Sequence, residues 1–183
     1  DSMASANASL ITLLRNKATT LRIESVRATS EAGSGHPSSC CSAADIVATL
    51  FYSVMRYDPK NPRTPNNDRF ILSKGHASPL LYSLYQAAGV ISRDELLTLR
   101  KFGSKLEGHP TPGFPFDDVA TGSLGQGLSV GLGMAIGIKL KMKNEKLKVE
   151  REPRVFVLLG DSEFSEGQIY EALQLASHYD ISN

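Results

Sequence analysis

Three of the four histidines sit in glycine- and proline-rich loops: Gly33-Ser34-Gly35-His36-Pro37, Ser73-Lys74-Gly75-His76 and Gly108-His109-Pro110. The prolines after His36 and His109 keep both out of helical geometry. An imidazole on a loop can donate to or accept from substrate hydroxyls, a carbonyl or a phosphate, and can move protons near neutral pH. His178 falls in a helical pattern and reads as structural. The long, irregular spacings, with no cysteine at ligand distance, argue against a structural zinc site. A Gly-x-Ser-x-Gly elbow and a dinucleotide fingerprint are both missing, which argues against hydrolase and Rossmann chemistry.

A second chemical feature is Val155-Phe156-Val157-Leu158-Leu159-Gly160-Asp161-Ser162-Glu163-Phe164-Ser165-Glu166-Gly167. Its apolar run reads as a strand buried on both faces, which implies a parallel sheet with helices above and below. Asp161 then stands at the carboxyl end of the strand, where open α/β sheets hold ligands. An aspartate there suits a hard divalent ion, and the following turn offers N–H groups to a phosphate. The local alternative is that Asp161 caps a turn and Glu166 decorates the first turn of a helix. Gly122-Ser123-Leu124-Gly125-Gln126-Gly127 carries no lysine and can line a flat ring as readily as a phosphate.

The elements that must carry these residues follow from periodicity. Leu10, Leu14, Ala18 and Leu21, widened by Ile11 and Val26, predict a long helix ending before Gly33. A second helix is expected through Ala43, Ile46, Val47, Leu50 and Val54, and a short strand over Phe70-Ile71-Leu72. Ser78-Pro79 reads as cap and first turn of another helix, and Ser92-Arg93-Asp94-Glu95 as a capping box. A helix from Leu128 to about Lys143 contains Gly131, Gly133, Ala135 and Gly137, so its backbone should press on a cofactor, a sheet or another helix. Lys139 to Arg154 is charged and reads as a solvent-facing bridge. Residues 1–9 read as a flexible terminus or an expression remnant, and 10–183 as one partial domain.

Composition bounds the function classes. With 20 basic against 19 acidic side chains, the net charge of +1 gives no reason to expect nucleic acid. No apolar run is long enough to span a bilayer, so a soluble, cytoplasmic protein is expected. Adjacent Cys40 and Cys41 suit helix packing in a reducing compartment.

The histidine, glycine-loop and Gly160-Asp161 strings, with Thr121-Gly122-Ser123-Leu124-Gly125-Gln126-Gly127 between them, stand in the order found in transketolases, and the chain resembles that family from about Leu14 onward. The resemblance implies a doubly wound α/β fold, mainly a parallel sheet flanked by helices, that binds thiamine diphosphate and Mg2+, with Ca2+ also suitable. It implies reversible transfer of a two-carbon glycolaldehyde unit from a ketose phosphate to an aldose phosphate, in a homodimer or higher assembly. By motif, Asp161 resembles the metal ligand, and the hydroxyl of Ser162 next to it is able to reach the diphosphate or a water. His76 resembles the histidine near the diphosphate and the reacting centre. His36 and His109 resemble those that contact donor oxygens and shuttle protons. Gly122, Ser123 and Leu124 resemble the segment along the cofactor rings, and Glu166 the carboxylate at the protomer interface.

Two departures accompany the resemblance. The family reads Gly-Asp-Gly where this chain has Ser162, and Asn183 comes too soon after Asp161 to be the asparagine that closes the metal motif. The expectation is therefore a truncated domain, active only when further transketolase sequence in another chain completes it. A deoxyxylulose-phosphate synthase-like enzyme and a non-catalytic interaction domain are the competing readings.

Overall fold

The computed structural model describes residues 2–144, 146 and 148–183, and only the backbone of residues 2–6. The chain forms two compact units, one of residues 1–55 and 76–108, the other of 56–75 and 109–183.

The first unit is helical. Helix α1 runs Ser2–Ala32 and α2 Pro37–Thr49, followed by a π-helical turn over Leu50–Val54. Helix α3 spans Ser78–Ala87 and α4 Arg93–Leu96. Ala18, Leu21, Ser25 and Ala28 are buried on one stripe of α1, as a helix of 3.6-residue period requires. Leu10, Ile11 and Val26, expected on that apolar face, are exposed. The backbone of residues 2–9 continues α1; the expectation of a flexible terminus falls partly on Asp1 and the side chains of 2–6, outside the described residues. Residues Ser78 to Tyr85 of α3 are all buried, so this helix forms the core on which α1 and α2 pack. Buried Glu24 is held by Arg93 and Arg27, each at 2.8 Å, the pairing a desolvated carboxylate needs.

Local signals were honoured unevenly here. Ser92 caps α4, its Oγ accepting from the Glu95 amide at 3.0 Å. Ser78 does not cap α3: its hydroxyl donates instead to the Glu107 and Gly108 carbonyls at 3.1 and 2.9 Å, tying down the segment that leads into His109. Cys40 is buried, Cys41 is half-buried, and neither is in a disulfide.

The second unit contains the sheet. Strand β1, Arg69–Leu72, pairs in parallel with β2, Val155–Leu158, with Arg69 opposite Val155 and Leu72 opposite Leu158. The expected doubly wound sheet does not form: the described residues hold this single two-stranded sheet, and most of the remaining regular structure is helix. The reason lies in the apolar patterning, which is strand-like only at these two short runs and follows the helical period elsewhere. Correspondingly, β2 is half-buried along its length and not enclosed on both faces.

Helix α5, Gln126–Lys143, lies on the two strands, and α6, Gly167–His178, packs on α5 through buried Ile169 and Ala172. A Cβ at Gly131 would stand 2.4 Å from Val157 Cγ2, so this glycine lets α5 reach the sheet, whereas a Cβ at Gly133 or Gly137 would meet nothing within 4 Å, and the close packing expected of those two is not found among the described residues. The charged bridge expected over 139–154 is helical to Lys143; Glu145 and Leu147 lie outside the described residues.

Asp68 anchors the start of both strands. Its fully buried carboxylate accepts from the amides of Arg56 and Arg154, each at 2.9 Å, and from the Arg151 guanidinium at 2.8 Å. Burial alone would push this carboxyl up, but those amides and guanidinium charges hold it below the usual carboxylate range. At the other end, the Ser73 amide donates to the Leu158 carbonyl at 2.9 Å, so the two strands deliver Ser73-Lys74-Gly75 and Leu159-Gly160-Asp161 side by side.

Candidate cofactor site

In the first unit, Pro37 opens α2 and leaves His36 at its N-cap position, with φ −125° and ψ 70°. His76 lies in a 3-10 turn over Gly75–Ala77. The two imidazoles meet edge to face, with ring centres 5.0 Å apart. Ser39 Oγ and His76 Nε2 share a 2.9 Å hydrogen bond in which either atom can donate, which fixes the ring and leaves Nδ1 as its second polar atom.

In the second unit, the loop from His109 to Gly125 carries the remaining histidine. Gly122 has φ +138°, and a Cβ there would stand 2.8 Å from His109 Cδ2, so the imidazole lies against bare backbone. A Cβ at Gly75 would stand 2.8 Å from both the Gly122 nitrogen and Thr121 Oγ1. That threonine hydroxyl is shut off from solvent and has no hydrogen-bond partner among the described residues. Ser123 and Leu124 are exposed beyond it.

Gly122→Ala is expected to cost about 1–3 kcal/mol, from the backbone conformation together with the clash. It should also displace the His109 ring. Urea midpoints and the ring proton resonances of His109 check both, and unmoved resonances would show that Gly122 does not seat the imidazole.

Asp161 follows β2 and stands at the N-cap of a 3-10 turn, Ser162–Ser165. It has helical backbone angles, φ −60° and ψ −50°, and its side chain makes no capping bond. An aspartate that caps adopts an extended backbone and accepts from an amide two or three residues on. The capping explanation thus fails at this residue: the carboxylate is exposed and has no partner among the described residues. Ser162 does not have a positive φ, so its Cβ costs no backbone strain where the family has glycine. Its side chain is exposed beside Asp161. Glu166 stands at the N-cap position of α6 with an extended backbone but makes no side-chain capping bond, and it lies against the glycine loop: a Cβ at Gly125 would stand 2.8 Å from Glu166 Cβ.

Sequence reasoning did not single out Glu163, which the structure buries to 2% exposure. Its Oε1 accepts from Ser73 Oγ at 2.5 Å and from the Gly125 amide at 2.7 Å, and its Oε2 from the Gly160 amide at 2.8 Å. Nothing local distinguishes it from exposed Glu166; only the approach of three distant segments does. Asp117 was missed for the same reason. Its Oδ2 is enclosed without a partner among the described residues, and burial, with Asp118 next to it, pushes the carboxyl up to about 8.

Among the described residues no three His, Cys, Asp or Glu side chains gather as a metal-binding group. A lone carboxylate nevertheless suits Mg2+, which keeps several waters and takes one or two carboxylates together with phosphate oxygens. Exposed Asp161 and the Ser162 hydroxyl beside it are oxygen donors of the kind such an ion takes.

The site is a parallel strand pair with an uncommitted aspartate at its carboxyl end, next to a glycine loop. Residues 14–183 match the family described as transketolase, thiamine diphosphate binding domain, and the chain belongs to that family. Human transketolase is 53% identical over 170 residues, covering 93% of this chain and 26% of its own length. Transketolase-like protein 2 of Bos taurus is 53% identical over 180 residues, covering 98% of this chain and 28% of its own. The crystal structure of transketolase from Campylobacter jejuni superposes with a TM-score of 0.84 at 37% identity, over 93% of this chain and 27% of that one. The chain thus spans about a quarter of the length of each of these three proteins. No described helix is long and apolar enough to cross a membrane.

Proposed function

We propose that this chain supplies the diphosphate-binding part of a transketolase active site, and that further polypeptide, carrying the rest of the length of its relatives, completes it. The completed protein would move a two-carbon glycolaldehyde unit reversibly between a ketose phosphate and an aldose phosphate. The observation that carries this reading is Asp161: an exposed carboxylate at the end of β2 for which the fold has no structural use. In this role Asp161 would hold Mg2+, or Ca2+, and the Ser162 hydroxyl would donate to a phosphate oxygen or a water. Gly122, Ser123 and Leu124 lie along the cofactor rings. Thiamine diphosphate, when bound, supplies the electron sink for carbon–carbon cleavage.

The remaining steps fall to the chain's own imidazoles. His76, oriented by Ser39, holds a proton near the diphosphate and the reacting centre. His36 and His109 hydrogen-bond donor oxygens and take up or return protons at those atoms. Glu166, on the outer turn before α6, belongs to the contact with a second protomer. Solved transketolase structures from Pichia stipitis in complex with fructose-6-phosphate and sedoheptulose-7-phosphate support sugar phosphates over pyruvate as the donor class.

Calorimetric titration of the chain, supplied with the completing sequence, with thiamine diphosphate and Mg2+, alongside thiamine and Mg2+, tests the reading. Saturable binding that needs both the diphosphate and the metal is expected. Equal heats with thiamine, or none with either, would refute it. Native mass measured with the cofactor present should show a species heavier than one chain once completing sequence is supplied.

A further inference from the structure

Glu163 is a fully buried carboxylate of the second unit for which the proposed chemistry has no direct task. Its three donors come from three separate segments: Ser73 at the end of β1, Gly125 at the end of the glycine loop, and Gly160 at the end of β2. Hydrogen bonds to an ionised acceptor are about twice as strong as neutral ones, and inside a protein a shared acceptor couples its donors. Each donor also sits where it has little freedom. Ser73 Oγ lies where a Gly127 Cβ would come within 2.4 Å, and Gly125, at φ +87°, is enclosed by Glu166 and Gln168. Gly160 immediately precedes Asp161, and Gly125 immediately follows Leu124. A single carboxylate therefore spans the two stretches to which the metal and the cofactor rings are assigned.

We infer that Glu163 is a positioning residue, whose buried carboxylate sets the spacing between the Gly122–Gly125 loop and Asp161 and so tunes affinity for a metal-bound diphosphate. The ligand in this statement rests on the function proposed above; the clamp itself rests only on the three hydrogen bonds. Glutamine at this position retains the shape but has one acceptor oxygen and one amide nitrogen. An N–H group of Gly125 or Gly160 must then face another donor, and an unsatisfied buried donor is costly.

The experiment compares wild-type chain, Glu163→Gln and Ser73→Ala by residue-resolved amide hydrogen exchange and by thiamine diphosphate titration with Mg2+. Ser73→Ala deletes one donor without adding bulk, and keeps the test decisive if the glutamine variant does not fold. Exchange at Gly125 or Gly160 should accelerate by about tenfold or more in Glu163→Gln, while amides inside α5 and α6 keep their wild-type rates. A residue that merely stabilises the unit would raise exchange throughout those helices instead. The dissociation constant should rise about tenfold in Glu163→Gln, and by less in Ser73→Ala.

Uniform acceleration, or unchanged exchange at both glycines, would overturn the clamp. Local acceleration with wild-type affinity would overturn its role toward the ligand. A wild-type chain that binds no thiamine diphosphate would overturn the functional reading and the ligand assigned here, whereas the exchange pattern would still decide the clamp.

Discussion

Asp161→Ala is expected to weaken Mg2+-dependent thiamine diphosphate binding by at least about a hundredfold while leaving stability almost untouched. The binding loss follows from removing the only protein carboxylate assigned to the metal; even outer partners of metal ligands change affinity by about 10–100-fold. The small stability change follows from the geometry: the side chain is exposed, caps nothing and pairs with nothing described. Surface changes of that kind stay within about 0.5 kcal/mol. Titration calorimetry and urea midpoints measured on the same samples separate the two quantities. Asp161→Asn should bind almost as poorly, because a neutral amide oxygen is a weaker ligand for a hard cation. A large fall in the urea midpoint would instead mean that Asp161 is a structural residue, and the assignment of the metal to it would fall.

The second large effect belongs to Asp117, whose carboxyl burial raises from 3.8 to about 8, with Asp118 adding to the shift. Between about pH 4 and pH 8 the unfolded chain has released this proton and the folded chain retains it. Stability therefore falls as pH rises through that window, by about 1.4 kcal/mol per pH unit, and levels off once the folded form ionises too. Asp117→Asn abolishes the dependence. Its advantage over the wild type should be negligible near pH 4 and on the order of 5 kcal/mol at pH 8. Asp68 acts with the opposite sign: its lowered carboxyl contributes stability above its ordinary value of 3.8, and this is lost as pH falls through the lowered value. The two windows do not overlap, so urea midpoints of wild type and Asp117→Asn at pH 5 and pH 8 isolate Asp117. Parallel pH curves for the two proteins would show that the carboxyl is hydrated in solution.

What was legible in the sequence was local. Helical periodicity placed α5 and α6 to within a few residues, the capping box at Ser92 formed, and the two β-rich apolar runs became β1 and β2, whereas α1 begins at Ser2, well before the first periodic residue Leu10, and α2 gives way to a π-helical turn at Leu50. The ordered loop motifs also sufficed for the family, since each is a contiguous string whose residue types follow from turn geometry. These signals act over one or two turns of chain, where covalent connection sets the geometry.

Tertiary structure decided what depends on distant partners. Two buried runs do not state how many strands will pair, so a doubly wound sheet was expected where a single pair forms. Ser78, ideal as a cap by sequence, turned to the carbonyls of Glu107 and Gly108 because the fold brought them within reach. Asp161, which sequence alone left equally suited to capping a turn, acquired helical backbone angles and lost that use. Glu163 became the meeting point of Ser73, Gly125 and Gly160, although Ser73 lies 90 residues away from it. A charged side chain becomes a clamp only when burial removes competing water, and burial is a property of the packed chain, not of any stretch within it.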